Sequence, residues 1–204
     1  IAAGKITYVD YKNKAFNCTQ LKAYNECMPE AINDGYAWLA YIDIDEFITL
    51  NADKYKCISD MLDQEKFRDA DVVMMNWMVY GDNGLVHMEN KPVYERFKEP
   101  IMPLDKCITY PNIAENKHIK SIVNLYKARE KGIRMAHVHY AASIYGNLRG
   151  MDCAGNAMKA EWPFSTSMQF DDMWLRHYQT KTIEEFLMFK AYRRRADASY
   201  EFNK

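Results

Sequence analysis

The chain has 204 residues, 49% of them hydrophobic and 14% aromatic, and a formal net charge of −1. That length and apolar content suit one domain with a sizeable core and exclude intrinsic disorder. The charge weighs against a generic nucleic-acid binder, and no apolar run approaches the ~18 residues of a membrane span.

Ile1–Gly4 has neither the charged nor the apolar region of a signal peptide, so the chain reads as cytoplasmic. The five cysteines, Cys18, Cys27, Cys57, Cys107 and Cys153, are widely spaced and form no Cys-x-x-Cys pair. They read as small core hydrophobes in a reducing compartment.

Ile6–Val9 is a short β-like run. Asn17–Asn33 reads as a helix, with Leu21, Tyr24, Met28 and Ile32 spaced three or four apart, Pro29 inside and Gly35 at the stop. Trp38–Ile42 is an apolar run with the look of a buried strand, and it ends in Asp43-Ile44-Asp45-Glu46. On an extended strand Asp43 and Asp45 share one face. Two hard oxygen ligands at a strand's carboxyl end suit Mg²⁺ or Mn²⁺ together with substrate phosphates. The plainer alternative is a pair of turn or cap residues. Glu46 adds a third acid, whose repulsion a cation would relieve.

Lys54–Phe67 reads as a helix and Asp71–Trp77 as a second buried strand, followed by the turn-rich tip Tyr80–Gly84. Pro92–Phe97, Lys106–Tyr110, Ile119–Leu125 and Ile133–Tyr140 are strand candidates. Ser143–Trp162 has no clear period. Met173–Tyr178 reads as a strand. Thr182-Ile-Glu-Glu185 has capping-box spacing, so a helix should start there and carry residues 179–204 as a C-terminal helix and tail. Arg193–Arg195 suits the helix dipole; its functional reading is a phosphate contact or adhesion to an anionic membrane surface, here the inner face of the cell membrane. The strand–helix–strand order predicts parallel crossovers.

Several stretches together resemble one family. Trp-Leu-Ala-Tyr-Ile-Asp-Ile-Asp-Glu-Phe-Ile (38–48) resembles the signature of glycosyltransferases of family 2 and the related family 92. Asn76-Trp77 through Tyr80–Gly84, Tyr94–Phe97, Lys120–Val123, His137–Tyr140, Arg176–Tyr178 and Lys181–Lys190 resemble its later elements in order.

The resemblance implies one catalytic domain over 1–204 with an α/β, GT-A-like fold: a mixed, mostly parallel sheet flanked by helices. It implies transfer of a sugar from a nucleotide sugar to a saccharide or glycan acceptor, in polysaccharide synthesis, by an inverting route. Asp43 and Asp45 would hold the Mn²⁺ or Mg²⁺, joined by His139 or His177. Arg96 would contact a phosphate or the acceptor. Glu95 or Asp82 would be the catalytic base, with Glu46 a third choice. Trp77 and Tyr80 would offer a stacking wall, although core packing suits Trp77 better.

Relative to that pattern the first strand and helix are missing, which predicts weak donor binding and self-association into oligomers. Two rival readings remain: a haloacid-dehalogenase-like phosphohydrolase, which shares the Asp-x-Asp after an apolar strand, and a non-catalytic carbohydrate-binding remnant.

Overall fold

A computed structural model describes residues 6–10, 19–101, 114–161 and 163–191. The strand candidate at 106–110 and the arginine run at 193–195 lie outside them.

The helix predicted to begin near residue 17 is α1, Thr19–Asn33. It keeps Pro29 in its interior and buries Met28 against the sheet. The apolar run gives β1 (Trp38–Ala40), and a turn leads into β2 (Glu46–Leu50). Next come a short α2 (Ile58–Leu62) and a single 3₁₀ turn (Glu65–Phe67) where one longer helix was expected. The spine of the fold is β3 (Val72–Val79), eight residues long and buried throughout.

The expected strand near Tyr94 is a one-turn helix, α3 (Val93–Arg96). Pro92 precedes it with φ −54, an angle preset for helix entry. Then follow β4 (Ile119–Asn124), α4 (Leu125–Ala128), β5 (Ile133–Met135) and β6 (Ala141–Ser143). The stretch without a period holds β7 (Gly150–Asp152) and β8 (Ala160–Glu161), and β9 (Phe164–Ser165) comes soon after. The chain closes with β10 (Met173–His177) and α5 (Ile183–Phe189). Residues 6–10 form no strand.

The mostly parallel, Rossmann-like sheet implied by the family resemblance is not what forms. The sheet runs β1-β4-β3-β10-β2, with β7 beside β3. The β1–β4, β3–β4 and β10–β2 ladders are antiparallel; only β10 and β7 lie parallel to β3. Few helices accompany it. No parallel crossover forms through α1, because no strand precedes it among the described residues, and β1 and β2 do not pair. They take opposite edges of the sheet.

In a flat sheet those edges would stand ~19 Å apart, four strand spacings. The chain from Tyr41 to Asp45 covers the gap although Glu46 N–H turns back to the Asp43 carbonyl at 3.1 Å. The sheet is therefore curled into a half-barrel, and residues 41–45 bridge its mouth. Tyr41 N–H donates to Ser121 of β4, and Tyr178 N–H, just past β10, donates to the Asp45 carbonyl.

Side chains alternate along β3. Val73, Met75, Trp77 and Val79 join one core with Met61, Phe67, Ile122 and Leu175. Val72 and Met74 join another with Met28, Tyr41, Val123 and Met135. Cys153 is buried in the first core, as expected of a small hydrophobe, but Cys57 is exposed and Cys27 half-buried; all three are free thiols. No described helix is long and apolar enough to cross a membrane.

Candidate functional site

The two aspartates do not share a face. Residues 43–45 form a turn rather than an extended strand, and the turn sends the carboxylates to different partners. Asp43 Oδ1 accepts from Gln20 and from the Tyr24 hydroxyl, and Oδ2 accepts from Lys120 Nζ at 3.0 Å. Asp45 Oδ2 accepts from Lys190 Nζ at 2.8 Å, and its Oδ1 lies 3.8 Å from His177 Nε2. Burial works against the charge of Asp45, but the Lys190 hydrogen bond and charge, with help from His177, hold its carboxyl below the usual range.

Lys120 is fully buried. A lysine in the apolar run Ile119–Val123 needs a partner when it is buried. It has three: Asp43, the Val138 carbonyl at 3.2 Å and Glu46 at 3.7 Å. Glu46 Oε2 accepts the Asp43 backbone N–H at 2.7 Å, while Oε1 is buried without a partner. Burial pushes the Glu46 carboxyl up to about 7; Lys120 opposes the shift and Asp43 adds to it.

A carboxyl raised this far favours folding most below its unfolded value of ~4.3, and that contribution is lost as pH rises through ~7. In Glu46→Gln this part of the pH dependence should vanish. Urea melts of both proteins at pH values on either side of the window check it: the wild type should lose stability relative to the variant as pH rises.

His177 and His139 occupy different places. Burial lowers His177 to about 4 against the pull of Asp45, so its ring is neutral at pH 7 and its buried Nδ1 has no hydrogen-bond partner. Burial, then the Lys120 charge, lowers His139 to about 3, and its Nδ1 lies 2.9 Å from the Ile119 carbonyl. Both rings pack on Trp77, at centroid distances of 4.0 Å for His177 and 5.1 Å for His139. His118 stacks on the same indole at 4.4 Å. Trp77 is thus the hub of a histidine cluster and is itself buried. Tyr80 is buried too, beside Tyr178 at 4.9 Å, so neither offers an open face to a sugar ring.

The remaining site residues expected from sequence lie elsewhere. Arg96 makes a two-bond fork with Glu185 of α5, at 2.7 and 2.9 Å, and ties α3 to α5. Asp82 builds the tip turn, its Oδ1 accepting from Gly84 N–H at 2.9 Å. Glu95 is exposed on α3. Glu46, the third choice for a base, has a near-neutral pKa but a fully enclosed side chain. A cavity of about 350 Å³ lined by Met74, Ser121, Tyr140 and Lys159 opens beside β4. Ser121 alternates with Lys120 along the strand, so this cavity lies on the face of β4 opposite the Lys120 side chain.

A divalent cation fits one part of this arrangement. Among the described residues no three His, Cys, Asp or Glu side chains converge to hold a metal by themselves. Asp45 and the neutral His177 do present an oxygen and a nitrogen 3.8 Å apart. Mg²⁺-type sites commonly use one or two carboxylates and take the rest from substrate phosphates and water, and Asp45 supplies one such carboxylate. Asp45 Oδ2 is taken by Lys190, so the pair could hold a cation only with Lys190 moved away. Asp43, with both oxygens engaged, is one step removed.

No protein-family model matches this chain, and no curated protein is similar enough to count as a match.

Lys120 and Lys190, which neutralise the two aspartates, are absent from the site expected from sequence. Each had a signal: a lysine inside an apolar strand, and a lysine at the end of a capped helix.

Proposed function

We propose that the chain is a metal-dependent glycosyltransferase acting on a nucleoside-diphosphate sugar and a saccharide acceptor. The observation that supports this reading most is the grouping of Asp45, His177 and Lys190 where β10 ends and α5 ends. One carboxylate, one neutral imidazole and one ammonium together suit a cation–diphosphate pair.

Asp45 and His177 would hold the Mn²⁺ or Mg²⁺, which when bound supplies Lewis-acid stabilisation of the departing diphosphate. Lys190, released from Asp45, donates to a phosphate oxygen; such charge-assisted bonds are short and strong. Lys120, Gln20 and Tyr24 fix the Asp43 carboxylate, which is about one-third exposed and can accept from a ribose hydroxyl. Glu46 holds the turn by accepting the Asp43 N–H, and so sets the direction of both aspartates.

Calorimetric titration of nucleoside diphosphates with and without Mn²⁺ tests the reading. Binding should require Mn²⁺, disappear in Asp45→Asn and persist in Asp82→Asn. Binding that is unchanged in Asp45→Asn would sink it. Turnover of p-nitrophenyl phosphate that depends on Asp43 would instead place phosphohydrolase chemistry on the Asp43–Lys120 pair.

A further inference from the structure

Strand β10 turns two different faces to the molecule. Leu175 and His177 point toward Trp77 and the first core. Trp174, Arg176 and Tyr178, the last just past the strand's end, alternate with them and share the other face. There Trp174 and Tyr178 meet a third apolar group, Met78, Tyr80, Phe97 and Phe170.

The polar atoms on this second face can all donate, and they find no acceptor. The Trp174 indole N–H, the Arg176 Nε–H and the Tyr178 hydroxyl are buried without a hydrogen-bond partner. Tyr178 is only 1% exposed. Arg176 belongs to none of the ion pairs among the described residues. Its guanidinium lies 5.8 Å from the centre of the Tyr80 ring. The Tyr80 hydroxyl, next to these groups, reaches only the Met78 sulfur at 3.6 Å, a weak acceptor.

Buried polar groups without partners are rare, and each calls for an explanation. Here three stand at successive positions on one face, and one of them is a cation. A ring face compensates a desolvated guanidinium only in part. One kind of partner satisfies the whole row: an oxyanion. A guanidinium fork takes two oxygens of a carboxylate or phosphate. The indole and the phenol donate to the oxygens that remain. The apolar surroundings strengthen such bonds. A water would accept from two of the donors and bring no negative charge.

We propose that the Trp174–Arg176–Tyr178 face of β10 binds the carboxylate or phosphate group of a small ligand. Arg176 is half-buried, so the site is reached from solvent at its side chain. No hydrogen bond holds that side chain. It swings with the arriving anion and admits it to the two enclosed donors, a rotamer change of the kind that commonly accompanies binding. The site lies on the opposite face of β10 from His177, and it requires neither the cation nor the reaction proposed above.

Titration of the 204-residue chain with inorganic phosphate and with glucuronate, in metal-free buffer at constant ionic strength, tests it. The readout is the indole N–H cross-peak of Trp174 in a nitrogen–proton correlation spectrum, identified by its loss in Trp174→Phe. At least one of the anions should move it saturably. The one that saturates at the lower concentration tells a phosphate ligand from a carboxylate. Glucose should leave the peak in place. Arg176→Leu should weaken the binding about ten-fold or more, the scale of hydrogen bonds to a charged group. Tyr178→Phe covers the case in which that variant fails to fold. It should weaken the binding too, while the unliganded protein melts no lower than the wild type, because the hydroxyl removed had no partner. Asp45→Asn, which strikes the cation site, should leave this titration unchanged, so the two readings fail separately. No saturable movement with either anion would overturn the proposal and leave a trapped water facing the donors. Movement undiminished in Arg176→Leu, or equal movement with glucose, would overturn it as well.

Discussion

Replacing Arg96 by Met should lower the stability of the protein by about 3–5 kcal/mol, the usual cost of removing one partner from a buried ion pair. The pair is enclosed: the side chains of Arg96 and Glu185 are 3% and 6% exposed. The guanidinium also donates from Nε to the Lys91 carbonyl at 2.9 Å. Without it the Glu185 carboxylate stays buried with only the Thr182 contacts, and α3 loses its tie to α5.

The effect has a defined pH dependence. The Arg96 hydrogen bonds, helped by Thr182 and opposed by burial, hold the Glu185 carboxyl at about 2. A carboxyl depressed in the folded state stabilises above its unfolded value of ~4.3, and that stabilisation is lost as pH falls through ~2. The difference between wild type and Arg96→Met should therefore be full at neutral pH and shrink as the solution is acidified through that window. Urea denaturation at several pH values measures it. Adding Glu185→Gln to Arg96→Met should recover part of the loss, because the stranded charge is gone. A cost below about 1 kcal/mol would mean the pair behaves like a surface salt bridge.

Lys190→Gln should change two binding constants in opposite directions. In the wild type the ammonium sits 2.8 Å from Asp45 Oδ2, where a cation would compete with it. Removing it should tighten binding of Mn²⁺ alone by about ten-fold, an order-of-magnitude figure for losing one close like charge in a partly screened site. The same substitution should weaken nucleoside diphosphate binding at saturating Mn²⁺ by about ten-fold, because the phosphate loses a charge-assisted donor. Calorimetry gives both constants. If neither changes, or both change in the same direction, Lys190 does no more than pin α5 to the aspartate turn, and only the melting temperature should respond.

How far the sequence could be read followed from the range of each interaction. Helix α1 and the capping box of α5 were legible because their determinants lie within a few residues. The buried strands β3, β4 and β10 were legible from apolar runs of strand length. The run of acids after Trp38–Ile42 is visible in the sequence as three carboxylates within four positions. Arg96 shows the limit. The family resemblance implies a ligand contact for it, but its partner, Glu185, is 89 positions away.

The tertiary structure alone decided the rest. Sheet direction depends on which distant strands pair, and β2 pairs with β10 rather than with β1. The sharing of one face by Asp43 and Asp45 requires an extended chain, and the Asp43–Glu46 turn removed that condition. His177 was indistinguishable from His139 in sequence; the antiparallel register that sets His177 opposite Glu46 brought it to Asp45. The outward apolar face of α5 was equally hidden. The capping box predicts the helix start, but the burial of Glu185 against Arg96, with Ile183, Phe186, Leu187, Met188 and Phe189 exposed, depends on a partner 89 positions away.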